Sequence, residues 1–239
     1  MKGLPGLLAV SFLCAACAST AVSSRSEVIR RILPSTVQLR AEREAGGRRT
    51  ASGVILLADA AAHRSWILTT KHFLEPPERQ AISVTVPGRS GRLSATVVAV
   101  SPDVDLALLV VTEALPPVTL KPTVKLGDEV WVVAYPFGRR RTLVSGVVSQ
   151  ISATADDAAV EGPARMVDAS VSYGASGGGV FDAPTGALVG IVESYRTARM
   201  TTPESRTIEV PVPGETTLIS AEAVVRFVHA SGLEALLDK

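Results

Sequence analysis

The segment of this sequence best suited to nucleophilic chemistry is a glycine-rich loop around one serine, Gly174-Ala175-Ser176-Gly177-Gly178. Glycines on both sides of a serine let the backbone bend sharply and come close to a ligand. This bend exposes the hydroxyl and turns neighbouring N–H groups toward one point. Such a loop can present a nucleophile beside an oxyanion hole. Taken alone, the five residues also suit a glycine-rich turn with an incidental serine.

A histidine and an aspartate at the ends of apolar strands supply the remaining groups for nucleophilic catalysis. His72 follows the run Ile67-Leu68-Thr69-Thr70-Lys71, and Asp105 precedes Leu106-Ala107-Leu108-Leu109. Alone, such a histidine is usually structural and such an aspartate usually caps a turn. Acyl transfer needs a hydroxyl, a base, and an acid that orients the base. Together with Ser176, the two residues therefore predict a catalytic site.

Short β-strands are predicted to position these residues. Runs rich in Val, Ile, Leu and Thr recur from Thr36 onward, mostly bounded by Gly, Pro, Asp or Ser, and the last two are Ala187 to Val192 and Thr207 to Val212. This pattern is typical of antiparallel sandwiches and barrels rather than of alternating strands and helices. The proline-rich segment Leu115 to Pro122 is a plausible linker that divides the strands into two groups of about six. Helices are predicted at Glu27 to Leu33 and after the N-cap residue Ser220.

The motifs around these residues resemble, in the same order, those of the trypsin-like serine protease superfamily, and most closely its HtrA (protease Do) branch. The matching segments are Ser52-Gly53-Val54-Ile55, Trp66 to Phe73, Asp105 to Leu108, Leu126-Gly127-Asp128, Tyr135-Pro136-Phe137-Gly138, Ser145 to Ser149, Asp168-Ala169-Ser170 and the Ser176 loop. The resemblance implies an all-β fold of two perpendicular, antiparallel, six-stranded β-barrels. We expect these barrels at about 34–114 and about 123–215, with a closing helix at about 220–237, in a protease domain spanning 27–239.

The same resemblance implies roles for individual residues. The oxyanion hole would be formed by the backbone N–H groups of Gly174 and Ser176. The implied substrate-binding residues are Ser170, Tyr173, Val192, Glu193, Ser194 and Tyr195. Ser170 would lie near the floor of the primary pocket, where a small neutral side chain favours small or medium apolar residues over Lys or Arg. Val192 to Tyr195 would form the edge strand that pairs with extended substrate.

Glu193 departs from the family pattern, which usually has a small or neutral polar residue close behind the triad aspartate. An inward-pointing Glu193 would face Asp105, and repulsion between the two carboxylates would raise one pKa and weaken the orientation of His72. A shift of one residue would instead leave Glu193 facing solvent. We favour the solvent-facing orientation from the sequence.

Composition and charge exclude several classes of function. The chain has 239 residues, 46% of them hydrophobic, with 24 Lys and Arg against 23 Asp and Glu. This is an ordinary globular composition without the excess positive charge expected of a nucleic-acid-binding protein. We therefore expect no nucleic-acid partner, and catalysis without a metal ion or organic cofactor. We also expect no PDZ-like domain after Val228.

The first residues have the layout of a secretory signal, with one cation, a short apolar run and small residues. The stretch Leu13-Cys14-Ala15-Ala16-Cys17 resembles a bacterial lipoprotein box, which implies a leader at 1–17 and acylation of Cys17. Residues 18–26 would then form a short tether. Cleavage after Ala18 by an ordinary signal peptidase is the alternative, because Cys14 stands where lipoproteins usually have leucine. Either route predicts export to the bacterial cell envelope, and a lipid anchor would make the membrane a partner.

Two functions of different classes follow from these observations. The first is a serine endopeptidase that cuts unfolded or extended polypeptides with a His-Asp-Ser triad. The second is a catalytically weak two-barrel module that binds extended peptides, for example in a chaperone-like role. The oligomeric state stays open, although the segment Ser19 to Arg40 lacks the aromatic residues through which HtrA relatives often trimerise.

Overall fold

The strands of the chain close into two separate six-stranded antiparallel barrels. The computed structural model describes residues 23–44, 46–76, 80–152, 158–202 and 206–237. The strands are β1 (Thr36–Arg43), β2 (Arg48–Asp59), β3 (Arg64–Thr69), β4 (Gln80–Thr85), β5 (Leu93–Val100), β6 (Ala107–Val111), β7 (Val124–Lys125), β8 (Glu129–Ala134), β9 (Thr142–Ile151), β10 (Glu161–Gly162), β11 (Ala164–Val167), β12 (Gly179–Asp182), β13 (Leu188–Thr201) and β14 (Thr207–Ser220). The predicted all-β, two-barrel fold is confirmed.

The first barrel has the strand order β1-β2-β3-β6-β5-β4, with β1 and β4 pairing to close it. Alternate residues of β1, namely Val37, Leu39 and Ala41, are fully buried inside it. This alternation follows from the two-residue period of a strand, which sends successive side chains to opposite faces.

The second barrel has the order β11-β14-β13-β12-β8-β9. In β8, Val130 and Val132 belong to the core of this barrel, whereas Trp131 and Val133 join a different apolar cluster. That cluster also contains Leu68 and other residues of the first barrel, so it packs the two barrels against each other. Because both faces of β8 are buried, its sequence is a nearly continuous apolar run.

A helix lies at each end of the described chain. Helix α1 spans Arg25–Ile32 and has a complete capping box, in which Ser24 caps the first turn and Glu27 binds back to the Ser24 backbone. Helix α2 spans Ala221–Ala230, with Ser220 as its N-cap as predicted. It ends seven residues before the expected limit near 237, and a short 3-10 turn follows at Glu234–Leu236. No helix among the described residues is long and apolar enough to cross a membrane.

The segment between the barrels is held by a partly buried ion-pair cluster. Lys121 Nζ lies 2.6 Å from Asp182 Oδ1 and 3.3 Å from Asp128 Oδ2. Burial by itself would raise the pKa of Asp182, but hydrogen bonds from Lys121 and Thr185 outweigh it and lower the pKa below the usual value. The cluster thus ties the predicted linker to β12 in the second barrel.

Candidate active site

Two neighbouring strands of the first barrel bring His72 and Asp105 together. Strands β3 and β6 pair so that Thr69 lies opposite Ala107, and both residues of interest lie just beyond these strand ends. The His72 backbone N–H donates to Asp105 Oδ1 at 2.8 Å, and His72 Nδ1 lies 2.6 Å from Asp105 Oδ2. Both carboxylate oxygens of Asp105 therefore hold the histidine.

This geometry determines which nitrogen of His72 is available as a base. A carboxylate only accepts hydrogen bonds when ionised, so Nδ1 carries the proton that faces Asp105. Nε2 then keeps its lone pair and can accept a proton from a nucleophile. The His72 side chain is 42% exposed, which leaves it accessible from the cleft.

The serine loop belongs to the second barrel but is anchored to the first by Ser52 of β2. The Ser52 N–H donates to the Ser176 carbonyl at 2.9 Å, and the Ser52 hydroxyl donates to the Gly174 carbonyl at 2.9 Å. Ser52 is fully buried, and its hydroxyl also accepts the Tyr135 N–H at 2.8 Å. One small polar side chain thus sets the position of the loop relative to His72.

Gly177 is a loop position where a side chain would collide with the first barrel. Its φ is +80°, and an added Cβ would lie 2.2 Å from the Ser52 carbonyl oxygen and 2.5 Å from Thr69 Oγ1. The absence of a side chain allows the loop to pass directly against β2 and β3. This close approach is what brings Ser176 to the boundary between the barrels.

A cleft of about 290 Å³ joins most of the predicted site residues. It is lined by His72, Tyr173, Gly174, Ser176, Glu193, Ser194 and Tyr195, together with Arg49, Thr50, Ala51, Phe73 and Thr197. Among the described residues, no acceptor binds the backbone N–H of either Gly174 or Ser176. The oxyanion hole that the resemblance implies at these two donors stays a prediction.

Ser170 and Val192 lie outside this cleft lining. The Ser170 hydroxyl accepts the Gly214 N–H at 3.3 Å. Val192 is buried, and its backbone groups pair with Gly177 and Gly178 of the serine loop. Of the predicted substrate-pairing edge, the residues that line the cleft are thus Glu193 to Tyr195, while Val192 supports the loop from behind.

Glu193 lies in the cleft, and the expectation of a solvent-facing orientation is wrong. A β-bulge causes the difference: Val192 pairs with Leu218 and Ser194 pairs with Thr217, so the backbone of Glu193 is left out of the pairing register with β14. Burial and, secondly, the charge of Asp105 raise the pKa of Glu193 above its ordinary value. A hydrogen bond with Thr217 and the charges of His72 and Arg165 oppose this shift without cancelling it.

Replacing Glu193 with glutamine is expected to remove one ionisation from the acidic limb of the kcat/KM profile. Burial and the charge of Asp105 raise the pKa of Glu193, so this carboxyl takes up its proton at a higher pH than an ordinary glutamate, whereas glutamine carries no charge at any pH. The measurement is kcat/KM against pH for a short peptide substrate. Glu209→Gln is the matched control, since Glu209 is exposed on β14 outside the cleft lining. An unchanged profile in Glu193→Gln would contradict the electrostatic role.

The sequence analysis assigned no role to two residues that shape the site. Arg49 lines the cleft, and its guanidinium donates to the His72 carbonyl at 2.5 Å. No sequence motif distinguishes Arg49, since it is one of two adjacent arginines in a polar stretch. Ser52 carried a weak signal, because it is a polar residue entering the apolar run Gly53 to Leu57.

Comparison with known proteins agrees with this architecture. The family model described as a trypsin-like peptidase domain matches residues 51–191, so the chain belongs to the trypsin-like peptidase family. A comparison with curated proteins finds no match.

Several solved structures share the fold. The HtrA-type protease AlgW, in a structure with a tripeptide, is 22% identical with a TM-score of 0.65, and the alignment covers 89% of this chain and 64% of that one. A serine endoprotease from Yersinia pestis is 22% identical with a TM-score of 0.65, over 87% of this chain and 66% of that one. The Mycobacterium tuberculosis protein Rv3671c, in an inactive mutant form, is 21% identical with a TM-score of 0.61, over 86% of this chain and 90% of that one. This chain thus spans about two thirds of the length of the first two.

Proposed function

We propose that this protein is a serine endopeptidase of the bacterial cell envelope that hydrolyses unfolded or extended polypeptides. The observation that carries the proposal is the cleft in which a histidine, oriented by two hydrogen bonds to Asp105, faces the same space as Ser176. Membership in the trypsin-like peptidase family supports the same chemistry.

In the proposed mechanism, Ser176 Oγ attacks the scissile carbonyl while His72 Nε2 accepts the hydroxyl proton. Asp105 holds the imidazole in the correct tautomer and stabilises the imidazolium. The N–H groups of Gly174 and Ser176 bind the oxyanion of the tetrahedral intermediate. His72 then returns its proton to the leaving amine. Water, deprotonated by His72, releases the carboxylic acid from the acyl-enzyme and restores the serine.

A fluorophosphonate probe tests this assignment directly. An activated serine displaces fluoride and forms a covalent Oγ–phosphorus bond, so we expect one adduct on the peptide that contains Ser176. Labelling is expected to vanish in Ser176→Ala and to fall sharply in His72→Ala. Mass spectrometry of digested protein identifies the modified residue. Labelling that persists in Ser176→Ala would reject the proposal.

The second candidate, a peptide-binding module with weak catalysis, is favoured by one observation. Glu193 places a second carboxylate beside the Asp105–His72 pair, where the family usually has a small or neutral polar residue. Peptide binding without fluorophosphonate labelling of the wild type would establish this function instead.

Export and anchoring are proposed from the leader alone. Cys17, the acylation site predicted from the sequence, lies outside the described residues, as does the whole leader at 1–17. The intact mass of protein purified from its native membrane would show a lipid on Cys17. A soluble mature chain that begins at Ser19 would contradict the anchor and leave export in place.

A further inference from the structure

Strands β13 and β14 continue beyond the second barrel as a two-stranded arm. We define the arm as Thr197–Thr201 of β13 paired with Thr207–Pro211 of β14. The pairing register shifts between Tyr195 and Thr197, where residues 212–215 of β14 bulge out of the ladder. Such bulges bend and twist a ribbon. The arm is thus an appendage to the barrel, attached directly after the residues that line the cleft.

The two outer edges of the arm differ in chemistry. The β14 edge of the arm carries Pro211, and Pro213 follows in the adjoining bulge. Neither proline has a backbone N–H to offer another strand. Proline at an edge is a common way to prevent unwanted strand pairing. The β13 edge carries no proline from Glu193 to Thr201, and in the described chain its only strand partner there is β14. One edge of the arm is protected and the other is open.

The two faces of the arm also differ. On one face Met200 pairs with Ile208, and these side chains are 55% and 45% exposed. The next pair on that face is Ala198 with Val210. On the opposite face Arg199 and Glu209 form a cross-strand ion pair at 3.3 Å. Exposed apolar side chains beside an open strand edge mark a surface for another extended chain.

The open edge is continuous with the candidate active site. The cleft lining that contains His72 and Ser176 includes Glu193 to Tyr195 and reaches Thr197, the first residue of the arm. A polypeptide that pairs with Ser194 and Tyr195 can therefore follow β13 onto the arm without leaving the edge.

We propose that the arm binds the part of the substrate that lies several residues on the amino-terminal side of the cut bond. Pairing antiparallel to β13, as in all strand pairs of the barrel, sends that part of the substrate toward Thr201. Five strand residues at about 3.3 Å each extend the site by roughly 16 Å, or about five substrate residues. The preferred substrate is a long extended segment with apolar side chains at alternate positions. The inference rests on the proposed function, because it assigns the substrate class of the same site.

Peptide binding to the Ser176→Ala protein tests the arm without requiring catalysis. Two fluorescent peptides share one sequence across the cut bond and extend about four or about nine residues upstream of it. We expect the longer peptide to bind about tenfold more tightly or better, since it gains backbone hydrogen bonds and apolar contact. N-methylation of single upstream amides is expected to weaken binding at every second residue only. Equal affinities for the two peptides would overturn the proposal.

Paired variants assign the effect to the apolar face of the arm. Met200→Ser is expected to reduce the affinity gain of the longer peptide several-fold, whereas Arg199→Ser, on the opposite face, is expected to retain it. The short peptide should bind both variants like the parent, which shows that the cleft is intact. The alternative use of this edge is pairing with a second copy of the protein, and the test distinguishes that case. Self-association that Met200→Ser abolishes, together with equal affinities for the short and the long peptide, would overturn the proposal.

The two proposals fail in different ways. Failure of the wild type to cut either peptide counts against the endopeptidase, while equal affinities for the two peptides count against the arm alone.

Discussion

Replacement of Ser176 by alanine is expected to lower kcat by about 10⁶-fold. Without the hydroxyl no acyl-enzyme can form, and the remaining donors at Gly174 and Ser176 stabilise only a slow attack by water. His72→Ala should cost a similar factor, since a serine without a base is a poor nucleophile. The measurement is single-turnover hydrolysis of a fluorogenic peptide with a small apolar residue before the cut bond.

The double variant tests whether the two groups act as a unit. If they do, Ser176→Ala combined with His72→Ala is expected to be no slower than either single variant. Ser149→Ala serves as a matched control, because Ser149 is an exposed serine on β9 outside the cleft lining and should leave kcat unchanged. Turnover near the wild-type value in Ser176→Ala would remove this serine from the mechanism.

Asparagine in place of Asp105 is expected to lower kcat by about 10⁴-fold at neutral pH. The carboxylate accepts hydrogen bonds from both the backbone N–H and Nδ1 of His72. An asparagine can satisfy only one of these donors, and its NH₂ group facing Nδ1 would favour the tautomer with the proton on Nε2. That tautomer cannot accept the proton of Ser176.

The same loop offers a closely matched control for this substitution. Asp103 lies two residues before Asp105, and its backbone N–H donates to Ser101 Oγ at 3.3 Å. Asp103→Asn should retain wild-type kcat, because its carboxylate is not in contact with the His72 ring. Thermal unfolding of both variants separates a loss of catalysis from a loss of folding. A small effect of Asp105→Asn with a large effect of Asp103→Asn would move the orienting role to the other aspartate.

The fold was predictable because strands and turns carry local signals. The alternating pattern of β1 and the apolar runs of β3, β6 and β8 are set by the two faces that each strand buries. The N-cap at Ser220 could be predicted equally well, since capping depends on one side chain and the backbone N–H three residues later. The end of α2 and the length of β14 were harder to predict from the sequence, because both depend on packing partners.

The sequence does not predict the arm, because its residues lack the local signals by which the other strands are recognised. The apolar runs predict one strand at Ala187 to Val192 and a separate one at Thr207 to Val212, whereas β13 runs on to Thr201. The added residues include Arg196, Thr197 and Arg199, which are polar and exposed. A strand that buries neither face lacks the hydrophobic period by which strands are recognised.

The orientation of Glu193 shows what depends on the folded chain. Residue types and spacing alone predicted that His72, Asp105 and Ser176 serve one reaction, because the chemistry needs a hydroxyl, a base and an orienting acid. Whether Glu193 faces that site depends on a bulge against β14, more than twenty residues away in sequence. The position of the serine loop likewise depends on Ser52, which reaches across from the other barrel. Such contacts join residues that are distant along the chain, so local patterns carry no trace of them, and only the closure of the two barrels sets their geometry.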